Sequence, residues 1–460
     1  MSPKSLRRSA RASLPAIAMA AVVGVSGCGG SPSSPSAQSG PSPSVAGPAP
    51  SSAVATSRPS AALAAPSPAA VSPTVAAVAR LSAIVAANPK DGDAQRQLGS
   101  ALAQRVRETA DPSLYALALV AFQAALAVEP ADAEALTGVA GIQLGKHQFG
   151  DALRTARRAI DLSPSLVPAR AAEVDALVEL GRYGAADAAA AEMLGIRTDI
   201  STLSRASYLA ELRGHLPAAL GAMRQAAADP APAPENSAYV RALLGNLLVW
   251  SGDRAGAAKA YADALALVPS HAPSLAGQGR LAVGEGRLDD AIELFRHASA
   301  VVPLPEYVIA QGDAERAAGR LDDARRSDDL ARAEIRLFRA AGVVVDVDLA
   351  LFEADRGDAS DALAHARAGY AATPTVRAAD AVAWALHRLG RDTEAEPYVV
   401  KALRLGSIDP ILRYHAGAIE AANGDRTNAR HDLELALRID PGFSATGAAE
   451  ARRLLSTLEG

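Results

Sequence analysis

The chain has 460 residues, a formal net charge of −4, and 4% aromatic residues among 49% hydrophobic ones. So few aromatic residues, together with abundant alanine, argue against a globular enzyme core and favour closely packed, repetitive helices. A single cysteine excludes an intramolecular disulfide.

Residues 1–27 have the pattern of an export signal. Four basic residues precede an apolar run over residues 14–25, which is too short to span a bilayer. The run ends in Val25-Ser26-Gly27-Cys28, which resembles a bacterial lipobox. The resemblance implies cleavage before Cys28 and a diacylglycerol on its sulfur. A general secretory signal with an incidental cysteine is the alternative, and twin-arginine export fits the flanking residues poorly.

Cleavage changes the charge of the chain. The removed segment carries four basic and no acidic side chains, so the mature net charge falls from −4 to −8. This balance argues against nucleic acid as a partner, and against a broad electrostatic grip on anionic lipid. We therefore expect an exported protein that the lipid alone holds on the extracytoplasmic side of a bacterial membrane. The following Ser/Pro/Ala-rich segment has no periodicity and cannot bury enough apolar surface to fold, which predicts a disordered tether.

From residue 118 onward, an alanine recurs at intervals of 33 to 38 residues. Eight of the ten are preceded five residues earlier by a glycine, and six are followed twelve residues later by a proline. The period predicts stacked helical hairpins in which the small alanine permits close packing and the proline ends the second helix. The ten residues are Ala118, Ala152, Ala186, Ala219, Ala257, Ala291, Ala324, Ala362, Ala395 and Ala429.

These residues resemble the tetratricopeptide repeat, over roughly residues 75–458. The resemblance implies an all-α fold, a right-handed α-solenoid of helix-turn-helix repeats. We divide the chain into a lipoprotein signal peptide (1–27), a lipidated cysteine with a disordered linker (28–73), and a solenoid of about ten repeats with terminal capping helices (74–460). The aromatic residue expected early in the first helix of each repeat is largely missing.

Several segments depart from the regular repeat. Residues 75–88 predict a lone capping helix, and residues 446–458 predict a final amphipathic one. An extended turn is expected between residues 105 and 115. The two longest intervals predict a loop insertion at residues 231–234 and a lengthened helix followed by an apolar run within residues 325–348.

No sequence pattern indicates catalysis or a bound cofactor. Walker loops, nucleophile elbows and His-Glu-x-x-His motifs are missing, and Gly277-Gln278-Gly279 lacks the third glycine of a phosphate loop. His387 and His415 fall on successive first helices, but no cysteine or carboxylate pattern supports a metal site. We therefore expect no enzyme, cofactor or metal. Helix capping is the expected role of the acidic pairs Asp289–Asp290, Asp322–Asp323 and Asp328–Asp329.

The resemblance implies that the first helices line a concave groove. The family's ninth and thirteenth repeat positions fall on Asn246 and Trp250 in one repeat and on Trp384 and Arg388 in another. A mixed aromatic and charged groove suits an extended peptide. Packing of both tryptophans in the core is an open alternative. Some members of the family bind a peptide C-terminus through a carboxylate clamp of basic residues and asparagine. Only Asn246 matches that clamp here, so capture of a peptide C-terminus is not expected. The candidate groove residues are Tyr208, Asn246, Trp250, Arg280, Asp313, Arg316, Trp384, His387, Arg388 and Tyr414.

From these features we expect a non-catalytic protein- or peptide-binding scaffold at the bacterial cell envelope. Two alternatives stay open: a binding protein for envelope glycans or small molecules, and an accessory subunit of an enzyme encoded elsewhere.

Overall fold

All ten of the recurring alanines are buried, with at most 1% of their surface exposed. Each lies in the second helix of a hairpin in the computed structural model, which describes residues 72–229, 231 and 233–459. The predicted signal peptide, Cys28 and the linker up to residue 71 lie outside the described residues. Those described form twenty-two helices and no strand. The helices are α1 Pro73–Ala87, α2 Gly92–Thr109, α3 Leu114–Val128, α4 Ala133–Gly145, α5 Phe149–Leu162, α6 Val167–Glu179, α7 Tyr183–Ile196, α8 Ile200–Leu212, α9 Leu216–Ala228, α10 Pro234–Trp250, α11 Arg254–Leu267, α12 Ala272–Gly284, α13 Leu288–Val301, α14 Pro305–Ala317, α15 Leu321–Ala340, α16 Asp346–Arg356, α17 Ala359–Ala372, α18 Val376–Arg388, α19 Asp392–Leu403, α20 Pro410–Ala422, α21 Arg426–Ile439 and α22 Gly447–Glu459.

The helices form ten successive hairpins, from α2–α3 to α20–α21, with α1 and α22 at the two ends. The prediction of an all-α solenoid is therefore confirmed. Each of the six periodic prolines stands two residues beyond the end of a second helix, where it cannot continue the helix. Within the described part of the chain, no helix combines the length and apolarity needed to cross a bilayer.

The glycines between paired helices occupy a left-handed turn. Seven of the eight predicted turn glycines have φ between 69° and 83°, a conformation that costs other residues strain. Gly357 is the exception, with φ of −127°.

Glycine within the first helices lets a neighbouring aromatic ring approach. A Cβ added to either Gly245 or Gly277 would lie 2.4 Å from the ring of Tyr261, so the ring is wedged between α10 and α12. Gly279 approaches Phe295 in the same way. The glycine pair at residues 277 and 279 therefore serves helix packing.

One of the predicted irregularities is wrong in detail. The extended turn within 105–115 is instead four residues long, because α2 continues to Thr109. The loop predicted at residues 231–234 lies between α9, which ends at Ala228, and α10, which begins at Pro234; the extra length of this repeat is in α10, which has 17 residues, whereas α8 and α12 have 13. Pro232, within this insertion, lies outside the described residues. The lengthened helix is confirmed as α15, with 20 residues.

The acidic pairs divide into two groups. Asp289–Asp290 and Asp322–Asp323 lie in the first turns of α13 and α15, as expected, where their charge complements the helix dipole. Asp328, by contrast, lies inside α15. It is 7% exposed and is paired with Arg316 and Arg356, so the capping prediction is wrong for it.

The solenoid coils tightly enough for successive turns of the superhelix to touch. The backbone N–H of Val344 donates to the carbonyl of Lys146 at 3.2 Å, and His147 Nδ1 lies 2.7 Å from the Val344 carbonyl oxygen. One repeat further along, the backbone N–H of Val376 donates to the Tyr183 hydroxyl at 3.0 Å. Counted from 344 − 146, the first pair is 198 residues apart in sequence, and the other two pairs are 197 and 193 residues apart.

The same contact continues through backbone glycines. A Cβ added to Gly214 would lie 2.5 Å from the carbonyl oxygen of Gly406, and one added to Gly442 would lie 2.2 Å from the Cα of Gly284. A row of hairpin turns from one coil thus rests on the inter-hairpin loops of the next.

We predict that Gly245→Ala lowers the free energy of unfolding by about 1–3 kcal/mol, because the added methyl group overlaps the ring of Tyr261. Gly221→Ala is the matched control: nothing lies within 4 Å of a Cβ there, and alanine in α9 should stabilise by up to about 1 kcal/mol. Differential scanning calorimetry of both variants checks this. Equal melting temperatures for the two would contradict the packing assigned to Tyr261.

Candidate functional site

The coiled solenoid surrounds an interior cavity of about 1200 Å³. All ten first helices, the even-numbered helices from α2 to α20, contribute residues to its lining. Small-molecule sites typically measure about 300–1,000 Å³, so this cavity has room for a longer ligand. We call it the chamber.

Five of the ten candidate groove residues line the chamber, and they come from four successive first helices. Tyr208 is on α8, Asn246 and Trp250 are on α10, Arg280 is on α12, and Asp313 is on α14. All except Asp313 are half-buried, so their side chains are accessible from the chamber.

Asn246 is held in place by two neighbouring side chains. Its Oδ1 accepts hydrogen bonds from the Tyr261 hydroxyl and from Arg280 Nη2, both at 2.8 Å. Both bonds use the oxygen, so the amide nitrogen makes no hydrogen bond within the described structure and can donate to a ligand. The close approach of Tyr261 to α10 thus orients a polar group toward the chamber.

Trp384 and Tyr414 lie elsewhere, in the packed interior between repeats. Trp384 is 1% exposed; its ring stacks on His415 at 3.9 Å between centroids, and its Nε1 donates to Asp355 at 2.8 Å. Tyr414 is 2% exposed and packs beside it. The expectation that these two rings face a ligand is therefore corrected, because close packing leaves them no accessible surface.

The remaining three candidates also serve internal contacts. Arg316 pairs with Asp313 at 3.2 Å and with Asp328. His387 Nδ1 lies 2.5 Å from Asp392, and Arg388 Nε donates to the carbonyl of Ala354 at 3.0 Å. None of the three lines the chamber.

The two histidines that flank Trp384 have separate carboxylate partners. The ring of His387 stacks on that of Trp384, with 4.9 Å between the ring centroids. His415 Nδ1 lies 3.0 Å from Asp380 Oδ1. Among the described residues, no group of three or more potential metal ligands occurs.

Acidic residues and tyrosines dominate the polar lining of the chamber. Thirteen carboxylates but five guanidinium groups and no lysine line it, together with six tyrosines. Several carboxylates have an arginine partner, such as Asp175, whose oxygens accept from Arg205 at 2.8 and 2.5 Å. The excess of carboxylates gives the chamber a negative potential.

None of these carboxylates except Asp313 was among the predicted groove residues, although the repeat register contains a signal for two of them. Asp175 and Glu179 stand eleven and seven residues before the phased Ala186. Asn246 and Trp250 stand at the same distances before Ala257. Applying one register to every repeat would have placed all four on the chamber wall.

The least paired carboxylates lie together where two coils of the superhelix face each other. Glu211 on α8 faces Asp409 at the start of α20, and burial together with this like charge raises the pKa of Glu211 to about 8. Burial likewise raises the pKa of Glu179 to about 7; Arg377 opposes the shift, and Asp175 and Asp348 add to it. Both groups therefore titrate near neutral pH.

Neither a known protein family nor a curated protein matches this sequence. Among solved structures, the Cut9–Hcn1 hetero-tetramer of the APC/C is similar at 13% identity over 83% of this chain and 92% of that chain, with a TM-score of 0.35. A tetratricopeptide repeat protein from Parabacteroides merdae has 16% identity over 57% and 99%, with a TM-score of 0.32. YrrB, described as a TPR protein with an unusual peptide-binding site, has 18% identity over 40% and 92%, with a TM-score of 0.28. The hairpin order and the buried alanines, rather than these partial likenesses, establish the repeat architecture of this chain.

We predict that Glu211→Gln stabilises the protein at high pH. The folded pKa of about 8 exceeds the ordinary value of 4.5, so the wild type loses stability as the pH rises from about 5 to about 8, while glutamine does not titrate. At pH 8 the variant should exceed the wild type by at least about 1 kcal/mol, and near pH 4 the two should be equal. Thermal unfolding across this pH range measures the difference.

Glu293→Gln serves as the control, since this exposed carboxylate pairs with Arg296, which holds its pKa below the usual value. A stability difference for Glu211→Gln that does not grow with pH would show that Glu211 is ordinarily solvated.

Proposed function

We propose that this protein is a non-catalytic scaffold that binds a protein or peptide segment at the bacterial cell envelope, anchored by a lipid on Cys28. The chamber carries the binding part of the proposal. Its length along ten first helices suits an extended chain, and Tyr208, Asn246, Trp250 and Arg280 offer it aromatic faces and hydrogen-bonding groups.

The anchor rests on the sequence. The apolar run followed by Val25-Ser26-Gly27-Cys28 supports lipid attachment, and the Ser/Pro/Ala-rich segment up to residue 73 supplies a spacer. In this arrangement the lipid holds the solenoid at a membrane surface.

We expect Cys28→Ser to move the protein from the membrane fraction to the soluble fraction, because the proposed lipid is the only anchor. Metabolic labelling with an alkyne fatty acid should mark the wild type and not the variant. Ser57→Ala, a change in the same linker, should leave both results unaltered. Membrane retention of unlabelled Cys28→Ser would refute lipid anchoring.

We expect a random dodecapeptide phage library to yield binders on the immobilised protein. Trp250→Ala should weaken a selected peptide by about tenfold or more, because a half-buried aromatic side chain in a pocket is a typical binding hot spot. Leu337→Ala is the control, since Leu337 is 64% exposed and does not line the chamber. Fluorescence titration provides the affinities.

Cell-wall glycan fragments form the opposing arm of this experiment. Saturable glycan binding without any enriched peptide would favour the glycan-binding alternative and overturn the peptide-binding proposal.

A further inference from the structure

Four carboxylates meet across the chamber between two coils of the superhelix. Glu179 is on α6 and Glu211 on α8, while Asp348 on α16 and Asp409 before α20 come from the following coil. One guanidinium, that of Arg377, accompanies them, and it pairs with Asp348 at 2.9 Å. We call these five residues the inter-coil cluster.

The other three carboxylates of the inter-coil cluster lack a cationic partner within the described residues. Glu179 and Glu211 make no side-chain hydrogen bond, and no arginine or lysine lies within ion-pair distance of either. Asp409 caps α20, accepting from the backbone N–H of Ile411 at 2.8 Å. The charge of Asp409 acts on Glu211, and the charge of Arg377 acts on both Glu179 and Asp409, so Arg377 is the one cation within the inter-coil cluster.

A second part of the chamber shows an unsatisfied acceptor of the same sign. Asp313 is 2% exposed and lines the chamber; its Oδ1 accepts from Arg316 and Arg356, but its Oδ2 has no hydrogen-bond partner. Buried polar atoms are rarely left unpaired, because desolvation without a hydrogen bond costs free energy. Arg356 Nε and Nη1 in the same network also lack a hydrogen-bond partner, so the pairing of Asp313 with its two arginines is incomplete within the described structure.

Aromatic rings lie beside these carboxylates. Tyr208 is close enough to both Glu179 and Glu211 for their charges to raise its pKa, in addition to the larger effect of burial. Trp250 and Tyr239 line the same chamber. Ring faces attract ammonium and guanidinium groups, so carboxylates interspersed with aromatic rings select for cations.

We propose that the chamber binds a positively charged peptide segment, with a lysine or arginine side chain placed between Glu179, Glu211 and Asp409. This inference rests on the proposed peptide-binding function and specifies its ligand. A cation inserted there relieves repulsion that the chain itself leaves uncompensated, and the aromatic rings extend the same preference along the chamber.

The affinity for such a peptide should depend on pH. Glu211 and Glu179 are protonated in part near neutral pH, so the affinity rises as the pH increases from about 5 to about 8 and both groups ionise. The groups that face them from the packed helices are Asp175, Tyr183, Tyr208, Asp348, Arg377 and Asp409.

Three matched decapeptides, alternating alanine with lysine, glutamine or glutamate, test the proposal by fluorescence anisotropy on the full chain. The lysine peptide should bind about tenfold or more tightly than the glutamine peptide, and the glutamate peptide should not bind. Raising NaCl from about 50 mM to about 500 mM should weaken the lysine peptide most. Glu211→Gln with Asp409→Asn should remove most of the preference, while Glu293→Gln should retain it.

The outcomes separate this inference from the proposed function. If the lysine and glutamine peptides bind equally, or the double variant keeps the full preference, the cationic specificity is refuted and peptide binding stands. If library-selected peptides bind but are not enriched in lysine or arginine, the inference likewise fails alone. If no peptide of any charge binds, the proposed function itself fails. Asparagine can still accept the capping hydrogen bond from Ile411, and both substitutions nearly conserve shape, so circular dichroism should show the double variant folded; an unfolded double variant would contradict the inter-coil cluster.

Discussion

The contact between successive coils of the superhelix is the constraint on which the rest of the structure depends. An open solenoid presents its first helices on a broad concave surface, whereas here the hairpin turns of one coil rest on the loops of the next. Tyr183 and Val376 join side chain to backbone across this contact, and Gly214 and Gly406 allow their backbones to meet. The concave surface therefore becomes the wall of a chamber, with residues from both coils facing each other.

The local architecture could be predicted from the sequence because it depends on neighbouring residues. The alanines fix which face of each second helix is buried, and the prolines and turn glycines fix where helices end. Even the glycines inside the first helices, such as Gly245 and Gly417, stand where a side chain of the paired helix occupies the space of a Cβ. Each of these features repeats with the period, so ten imperfect copies support one interpretation.

The chamber could not be predicted in the same way. Glu211 and Asp409 are 198 positions apart in the sequence, and nothing in a repeat of about 34 residues indicates that they face each other. Trp384, in contrast, was predicted to face the groove but is buried. It occupies the same repeat position as Asn246, but Asp355 and His415 enclose it, so equivalent register does not guarantee equivalent exposure. The candidate site was thus predicted in part: Tyr208, Asn246, Trp250 and Arg280 line the chamber, and its acidic character was missed.

The coil-to-coil contact has a consequence for how the chain folds. Repeat proteins usually behave as a linear array in which each unit interacts with its immediate neighbours, so that stability propagates stepwise and the ends fray independently. Here hydrogen bonds such as that between Val376 and Tyr183 couple units 193 residues apart. These contacts raise the contact order and couple the stability of early repeats to that of late ones. The array should therefore unfold with a cooperativity that spans two coils, and truncation at the C-terminal end should loosen hairpins near the N-terminal one.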